Sequence, residues 1–197
     1  MRERDRINQT FYNTHAGDFD KIPFKDVLIP LLQKHLSTSS TILEVGSGAG
    51  ALASWLQELG HKVVCVEPAE TPAKKAVEKG LEVHLSRFQD FQAFHKFDSV
   101  IAISSLIHIS REEIPEQLQK IRLLLKQQGM AFISFIEGQE EGFEDPTGKG
   151  MERFFSKFTE KELNNMLSLH FTILEQHKVE VTKMKQTFLI YALQAQI

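Results

Sequence analysis

Apolar and polar positions along the chain follow a repeating order of helical patterns and short apolar runs. Residues 24–36 carry apolar side chains at helical spacing, and the polar residues 37–40 end that helix. The run 41–45 is short and apolar, which predicts a buried strand. Residues 50–59 return to helical spacing, and Gly60 follows them where glycine ends many helices.

The same cycle repeats through the middle of the chain. It predicts strands over 62–66, 81–85, 97–103 and 130–136, and helices over 72–79 and 112–126. Apolar strands that alternate with helices are typical of a parallel sheet covered on both faces.

The last quarter departs from this order. Thr159 with Glu162 three residues later forms a capping-box pattern, which predicts the start of a helix over 159–169. Two strands, 171–181 and 187–195, are joined by a short link and predict an antiparallel hairpin. We therefore predict an α/β fold with a doubly wound, mostly parallel, seven-stranded sheet and a C-terminal antiparallel hairpin.

Composition narrows the class of protein. A chain of 197 residues with 42% hydrophobic and 25% charged residues is typical of one globular domain. The net charge of −3 gives no basic surface for nucleic acid, and no apolar stretch reaches the roughly 18 residues of a membrane span. A single cysteine, Cys65, excludes an internal disulfide framework, and the scattered histidines lack metal-ligand spacing. The spacing of the histidines therefore predicts no metal site. The charged residues 2–6 do not resemble a signal peptide, so we expect a cytoplasmic protein.

A glycine-rich loop and an acidic residue indicate a cofactor. Gly46, Gly48 and Gly50 lie where the first predicted strand turns into a helix, so ligand can approach the backbone and the free amides of the helix. Glu67 ends the next strand, where a carboxylate can accept both hydroxyls of a ribose. The combination predicts a nucleoside-type cofactor at the carboxyl ends of the strands.

The loop also satisfies the dinucleotide pattern G-x-G-x-x-G/A through Gly46, Gly48 and Ala51. Glu44, just before the loop, argues against that reading because a carboxylate repels a pyrophosphate and attracts an ammonium or sulfonium. The closing antiparallel hairpin argues in the same direction. An NAD(P)-dependent oxidoreductase stays open as an alternative.

Several segments resemble class I S-adenosylmethionine-dependent methyltransferases. Residues 42–50 resemble the glycine loop of that family, and residues 97–101 its fourth strand. Residues 105–108 resemble the segment after that strand, and residues 123–129 the family's LKPGG turn, with two glutamines in place of the proline and the first glycine. Residues 87–142 most resemble small stand-alone bacterial members of the superfamily, including tellurite-resistance-like ones.

The resemblance implies a Rossmann-like methyltransferase domain over residues 1–197, with 1–36 as a helical cap segment and 41–197 as the core. It implies S-adenosylmethionine as cofactor, S-adenosylhomocysteine as product, and methyl transfer to a small molecule by in-line displacement. Residues 104–106 lack the motif of amino-directed DNA enzymes, so nucleic acid is not expected as acceptor. The implied cofactor-binding residues are Glu44, Gly46, Ser47, Gly48, Gly50, Glu67, Pro68, Arg87, Phe88, Ser104 and Leu106.

Within this resemblance Glu44 would orient the methionine ammonium, Glu67 would hold the ribose hydroxyls, and Pro68 would flank the adenine. Arg87 and Phe88 would border the adenine edge, although the family often has an acid there. Ser104 and Leu106 would lie beneath the transferable methyl group. A non-catalytic protein that only binds the cofactor stays open as an alternative, because the chemistry strictly requires no side chain.

Tyr12 and His108 are the candidates for catalysis. A packing role for the N-terminal segment around Tyr12 and a structural role for His108 stay open. Residues 137–153 are charged and glycine-rich, which predicts either a mobile loop beside the substrate mouth or a solvated connector. The carboxylates of that segment would favour a neutral or cationic acceptor. The fifteen phenylalanines favour a partly apolar one, if some of them line its pocket.

Overall fold

The computed structural model describes residues 2–148 and 150–196. Its helices are α1 Glu3–Thr14, α2 Lys25–His35, α3 Ala51–Glu58, α4 Glu70–Glu78, α5 Ile114–Leu124 and α6 Glu160–Leu167. Its strands are β1 Thr41–Val45, β2 Lys62–Glu67, β3 Glu82–Leu85, β4 Phe97–Ala102, β5 Leu125–Glu137, β6 Glu141–Glu144, β7 Arg153–Phe158, β8 Phe171–Val181 and β9 Gln186–Ala195. None of these described helices is long and apolar enough to cross a membrane.

The sheet has the predicted architecture. Strands β3, β2, β1, β4 and β5 lie side by side in that order and pair in parallel. Strand β9 runs antiparallel to β5, with Met130 opposite Gln194, and β8 pairs antiparallel with β9. The mixed α/β fold with a C-terminal antiparallel hairpin is therefore confirmed. In such a sheet the ligand site lies at the carboxyl ends of the parallel strands.

Two further strands lie within and after the segment predicted to be a mobile loop. Strand β6 pairs antiparallel with β7, so that Glu144 lies opposite Arg153, and the end of β7 pairs in parallel with the end of β5. Over the described residues the sheet therefore has nine strands, seven of which form the predicted core. The sequence did not reveal β6 because it is a four-residue edge strand with a single large apolar side chain, Phe143, and its pairing with β7 holds it in place.

The core covers both faces of the sheet because successive side chains of a strand point to opposite sides. Ile42 of β1 packs with Leu28 of α2 and Leu52 of α3. Its neighbour Leu43 belongs to the opposite cluster, with Leu118 of α5. All of these side chains are at least 97% buried. The two packed faces fix the end of β1, and with it the start of the glycine loop.

Helix α1 is attached to the carboxyl edge of the sheet by polar contacts. The Asn8 side chain donates from Nδ2 to the carbonyl oxygen of Phe154 at 3.3 Å, and its Oδ1 accepts from the Phe154 amide at 2.8 Å. Arg4 forms an ion pair with Glu113 at 2.5 Å, just before α5. Because Asn8 and Arg4 are both at least 91% buried, these contacts position α1 over the ends of the strands.

Candidate active site

A cavity of about 460 Å³ lies at the carboxyl ends of the parallel strands. This volume is within the usual range for small-molecule sites, about 300–1,000 Å³. Helix α1, the loop after β1, the end of β2, the segment after β4 and the β8–β9 link all contribute to its walls. The predicted cofactor-binding residues that line it are Glu44, Gly46, Ser47, Gly48, Glu67, Pro68, Arg87, Phe88, Ser104 and Leu106, and the two predicted catalytic residues Tyr12 and His108 line it as well.

The glycine loop combines a tight turn with open space. Gly46 has φ of 72°, and a Cβ atom at this position would lie 2.5 Å from the Cβ of Ser105. Gly48 has φ of 57°, and apart from its two chain neighbours no described residue has an atom within 4 Å of the place that its Cβ would occupy. Gly46 therefore lets the loop pack against the segment after β4, while Gly48 leaves room for a ligand next to the backbone.

Gly50 has a different environment from the other two glycines, because it does not line the cavity. A Cβ atom there would collide with the side chain of Leu81 and lie 3.1 Å from the Cβ of Ala76 in α4. The geometry therefore assigns Gly50 to the close packing of the start of α3 against α4 and the segment before β3, rather than to direct contact with a ligand.

Glu67 is held rigidly in the cavity wall. Its Oε2 accepts a hydrogen bond from the Gly48 amide and its Oε1 accepts one from the Ala69 amide, both at 2.8 Å. Burial raises the pKa of Glu67 to about 7, although the two amide hydrogen bonds oppose that shift. Each carboxylate oxygen keeps a second lone pair, so this side chain can accept two vicinal hydroxyls.

Glu44 provides a second buried carboxyl group with an unused oxygen. The side chain is 6% exposed, and its Oε2 has no hydrogen-bond partner within the described part of the chain. Burial, together with repulsion from Glu67, raises the pKa of Glu44 to about 8. A buried polar atom without a partner is costly, and a cationic ligand in the cavity would satisfy it. A pyrophosphate would instead add negative charge beside two carboxyl groups.

Arg87 lines the cavity, but its guanidinium is already paired. It contacts Asp5 of α1 and Asp90, both at 2.6 Å. The neighbouring Phe88 is 5% exposed. Arg87 therefore ties α1 to the segment after β3, and Phe88 supplies apolar wall beside it.

The segment after β4 forms the opposite wall with an unusual backbone conformation. Ser104 has φ of 56°, in the left-handed region, and its amide donates to Ser134 Oγ at 2.8 Å. A non-glycine residue in this region stores of order 1–3 kcal/mol of strain, a feature that concentrates at functional sites. Leu106 is fully buried and also lines the cavity.

Tyr12 and His108 form part of a directed chain of hydrogen bonds. The Nδ1 atom of His108 lies 2.7 Å from the carbonyl oxygen of Phe154, which can only accept, so Nδ1 carries the proton. Burial lowers the pKa of His108 to about 4, which keeps the imidazole neutral at pH 7. Its Nε2 therefore accepts from the Tyr12 hydroxyl at 2.7 Å, and that hydroxyl accepts from Arg153 Nη1 at 3.1 Å.

Sequence reasoning missed Arg153, which lines the cavity and is 2% exposed. The only sequence signal for Arg153 is its position two residues before Phe155, because residues at that spacing in a strand lie on the same face. Of the described residues between 137 and 153, only Arg153 lines the cavity. The carboxylates of Glu140, Glu141 and Glu144 do not line the cavity. They therefore do not support the expected preference for a neutral or cationic acceptor.

The sheet, the glycine loop and the two buried carboxyl groups define an α/β protein of the class that binds a nucleoside-type cofactor at the strand ends. Comparison with known proteins makes this more specific. Residues 42–129 match the family model described as a methyltransferase domain. An uncharacterized methyltransferase of Geobacillus sp. strain WCH70 is 25% identical over 180 residues, which is 87% of this chain and 83% of the relative.

Solved structures share the fold at low identity. The 1,6-didemethyltoxoflavin-N1-methyltransferase of Burkholderia thailandensis, with bound 1,6-didemethyltoxoflavin and S-adenosylhomocysteine, has a TM-score of 0.77 and 21% identity over 98% of this chain and 88% of that one. The magnesium protoporphyrin IX methyltransferase of Synechocystis PCC 6803, with bound S-adenosylmethionine, has a TM-score of 0.75 and 15% identity over 99% of both chains. The family-model match supports a methyltransferase domain over residues 42–129, and the solved structures share the fold of the whole chain. The tellurite-resistance-like subtype stays a prediction.

Proposed function

We propose that this chain transfers the methyl group of S-adenosylmethionine to a small-molecule acceptor by in-line displacement, with S-adenosylhomocysteine as product. The observation that carries this proposal is the pair of buried carboxyl groups in one cavity wall. Glu67 is fixed by loop amides, and Glu44 has a free oxygen. These two residues fit a ligand that has vicinal hydroxyls and a positive charge, as S-adenosylmethionine does.

Different residues of the cavity wall are assigned to different parts of S-adenosylmethionine. We assign Glu67 to the ribose hydroxyls and Glu44 to the methionine ammonium. Pro68 and Phe88 would flank the adenine, and Arg87 would position that wall through Asp5. Ser104 and Leu106 would lie beneath the methyl group. The loop backbone at Gly46, Ser47 and Gly48 would face the methionine and ribose, a role that the open space at Gly48 supports.

Bound S-adenosylmethionine supplies a methyl carbon that its positively charged sulfur already activates, so that the electron pair of the broken carbon–sulfur bond neutralises the sulfur. The chain therefore has to align the acceptor and exclude water. Alignment of two reactants is worth roughly 7–11 kcal/mol in favourable cases. Helix α1 is suited to this task because Asn8 and Arg4 hold it over the cavity through buried contacts.

We propose that Tyr12 contacts the acceptor and that His108 positions Tyr12. His108 is a weak proton acceptor because its pKa is about 4. At pH 7 its protonation would cost about 4 kcal/mol, at about 1.4 kcal/mol per pKa unit. The Tyr12 oxygen donates to His108 and accepts from Arg153, which leaves one lone pair for a proton of the acceptor.

A small-molecule acceptor is supported by the size of the cavity and by the compounds in the two structural neighbours' names, 1,6-didemethyltoxoflavin and magnesium protoporphyrin IX. We also propose a single domain over residues 1–197 with 1–36 as cap, since α1 and α2 fall in that segment. Met1 and Ile197 lie outside the described residues. The cytoplasmic location stays a prediction.

A calorimetric titration tests the proposed cofactor. The wild-type chain is titrated with S-adenosylhomocysteine and, separately, with NAD. We expect micromolar binding of S-adenosylhomocysteine and none of NAD, and the Glu58→Gln variant, changed at an exposed position of α3, should match the wild type. Binding of NAD without S-adenosylhomocysteine would contradict the proposal and favour an oxidoreductase.

A further inference from the structure

Arg153 carries a buried positive charge whose hydrogen-bonding capacity is largely unused. A guanidinium has five N–H donors, yet the side chain makes one described hydrogen bond, from Nη1 to Tyr12. Its Nε and Nη2 atoms are buried and have no hydrogen-bond partner in residues 2–148 and 150–196. Among the described residues, no carboxylate takes up either of these nitrogens.

Aromatic rings surround this guanidinium. Its Cζ atom lies 4.1 Å from the ring centre of Phe11, 4.9 Å from that of Phe155 and 5.6 Å from that of Phe19. Ring faces attract a cation, but they do not provide acceptors for its N–H groups. A buried charge without a hydrogen-bonded counter-ion is costly for the folded state, so an anion that reaches these nitrogens would relieve that cost.

The two unpartnered nitrogens have the geometry of a fork. Nε–H and one Nη2–H point the same way along one edge of the planar guanidinium, the arrangement that binds both oxygens of a carboxylate at once. The bond from Nη1 to Tyr12 occupies the other side of the group and orients it. Arg153 also lines the same cavity as Glu67 and Glu44.

We propose that Arg153 binds a carboxylate of the methyl acceptor, so that the substrates of this enzyme are carboxylic acids with an apolar or aromatic body. The proposal rests on the proposed function, because it places the acceptor in the cavity that holds the cofactor. Besides Phe88, which we assign to the adenine, four phenylalanines line that cavity and fit an apolar body: Phe19, Phe24, Phe155 and Phe188. A carboxylate on Arg153 also brings the acceptor next to Tyr12, which contacts the same guanidinium.

Benzoate, its neutral analogue benzamide and phenyl phosphate test this subsite. Each probe is titrated calorimetrically into the wild-type chain saturated with S-adenosylhomocysteine. We expect benzoate to bind at least tenfold more tightly than benzamide and more tightly than phenyl phosphate. Equal binding of benzoate and benzamide, or no binding of benzoate, would overturn the proposal. Preferred binding of phenyl phosphate would overturn the carboxylate in favour of a phosphoryl group.

Two variants assign the effect to Arg153. Arg153→Gln should lose the preference for benzoate, and Arg153→Lys, which keeps the charge without the fork, should retain only part of it. The matched control is Arg111→Gln, because Arg111 also stacks on a phenylalanine, Phe158 at 4.4 Å, but pairs with Glu162 outside the cavity. An unchanged benzoate preference in Arg153→Gln would contradict the proposal.

Binding of S-adenosylhomocysteine distinguishes a failure of the acceptor assignment from a failure of the proposed function. Variants that still bind it are folded and have an intact cofactor site, so any loss of benzoate binding belongs to Arg153. If the wild type binds S-adenosylhomocysteine and shows no preference for an anion, only the acceptor assignment fails. If it does not bind S-adenosylhomocysteine, the proposed function itself fails.

Discussion

Replacing Glu44 by glutamine should abolish the release of a proton that accompanies cofactor binding to the wild-type chain. Burial and repulsion from Glu67 raise the pKa of Glu44 to about 8 in the ligand-free protein, so the carboxyl group is largely protonated near neutral pH. An ammonium group binds the ionised form. Binding of S-adenosylhomocysteine should therefore release a proton from Glu44, and its affinity should rise with pH. Glutamine imitates the protonated carboxyl group at every pH.

The size of the effect follows from the pKa. Below a pKa of about 8, each pH unit lowers the cost of ionising Glu44 by about 1.4 kcal/mol. Between about pH 6 and about pH 7.5 the wild type should thus gain affinity over Glu44→Gln by a factor of about thirty, or about 2 kcal/mol. Glu67, whose pKa is about 7, titrates in both proteins. Because its charge acts on Glu44, the ratio between the two proteins reports the ionisation of Glu44 together with this coupling.

Isothermal calorimetry at both pH values, in two buffers with different ionisation heats, measures the affinity and the number of protons released. Glu58→Gln is the matched control, since Glu58 is exposed on α3, and it should keep the wild-type pH dependence. A ratio between wild type and Glu44→Gln that does not change with pH would refute the assignment of Glu44 to a cationic group.

Three further substitutions test other parts of the site. Glu67→Ala should weaken binding of S-adenosylmethionine by about 1–3 kcal/mol in calorimetry, because the ribose loses its acceptor. Gly46→Ala should lower the free energy of unfolding in urea by more than Gly60→Ala does, since both positions have positive φ but only Gly46 would bring a Cβ against Ser105. Tyr12→Phe should reduce kcat by roughly tenfold or more once an acceptor is known, with cofactor affinity unchanged, because a hydrogen bond of about 1.4 kcal/mol corresponds to that factor.

Each of these expectations has a contrary result. Unchanged affinity in Glu67→Ala would show that another group holds the ribose. Equal destabilisation in Gly46→Ala and Gly60→Ala would mean that the contact with Ser105 relaxes without cost. Full turnover in Tyr12→Phe would show that Tyr12 has a packing role and that its hydroxyl does not contribute to turnover.

The glycine loop and the sheet were predictable because their signals are local. The run 41–45 is apolar and is followed at once by Gly46, so the strand and its tight turn are both visible in one stretch of sequence. The position of Glu67 at the strand ends was predictable for the same reason, since it ends the next apolar run. The capping box at Thr159 and Glu162 is present in the structure for the same reason.

The rest of the site depends on contacts between distant parts of the chain. The burial of Arg153 results from the packing of α1, which Asn8 fixes by bonds to Phe154, 146 residues away. No pattern near Arg153 specifies that contact. Gly50 belongs to the same glycine motif as Gly48, and only the packing of α4 shows that the two have different roles.

The central claim, methyl transfer to a small molecule, is tested most directly with S-adenosylmethionine that carries a labelled methyl group. The wild-type chain and Glu67→Ala are each incubated with the labelled donor and a metabolite extract, and the label is followed by mass spectrometry. We predict a labelled product of low molecular mass with the wild type and a strongly reduced yield with Glu67→Ala. Binding of S-adenosylhomocysteine without any labelled small molecule would contradict the account and favour a non-catalytic cofactor-binding protein.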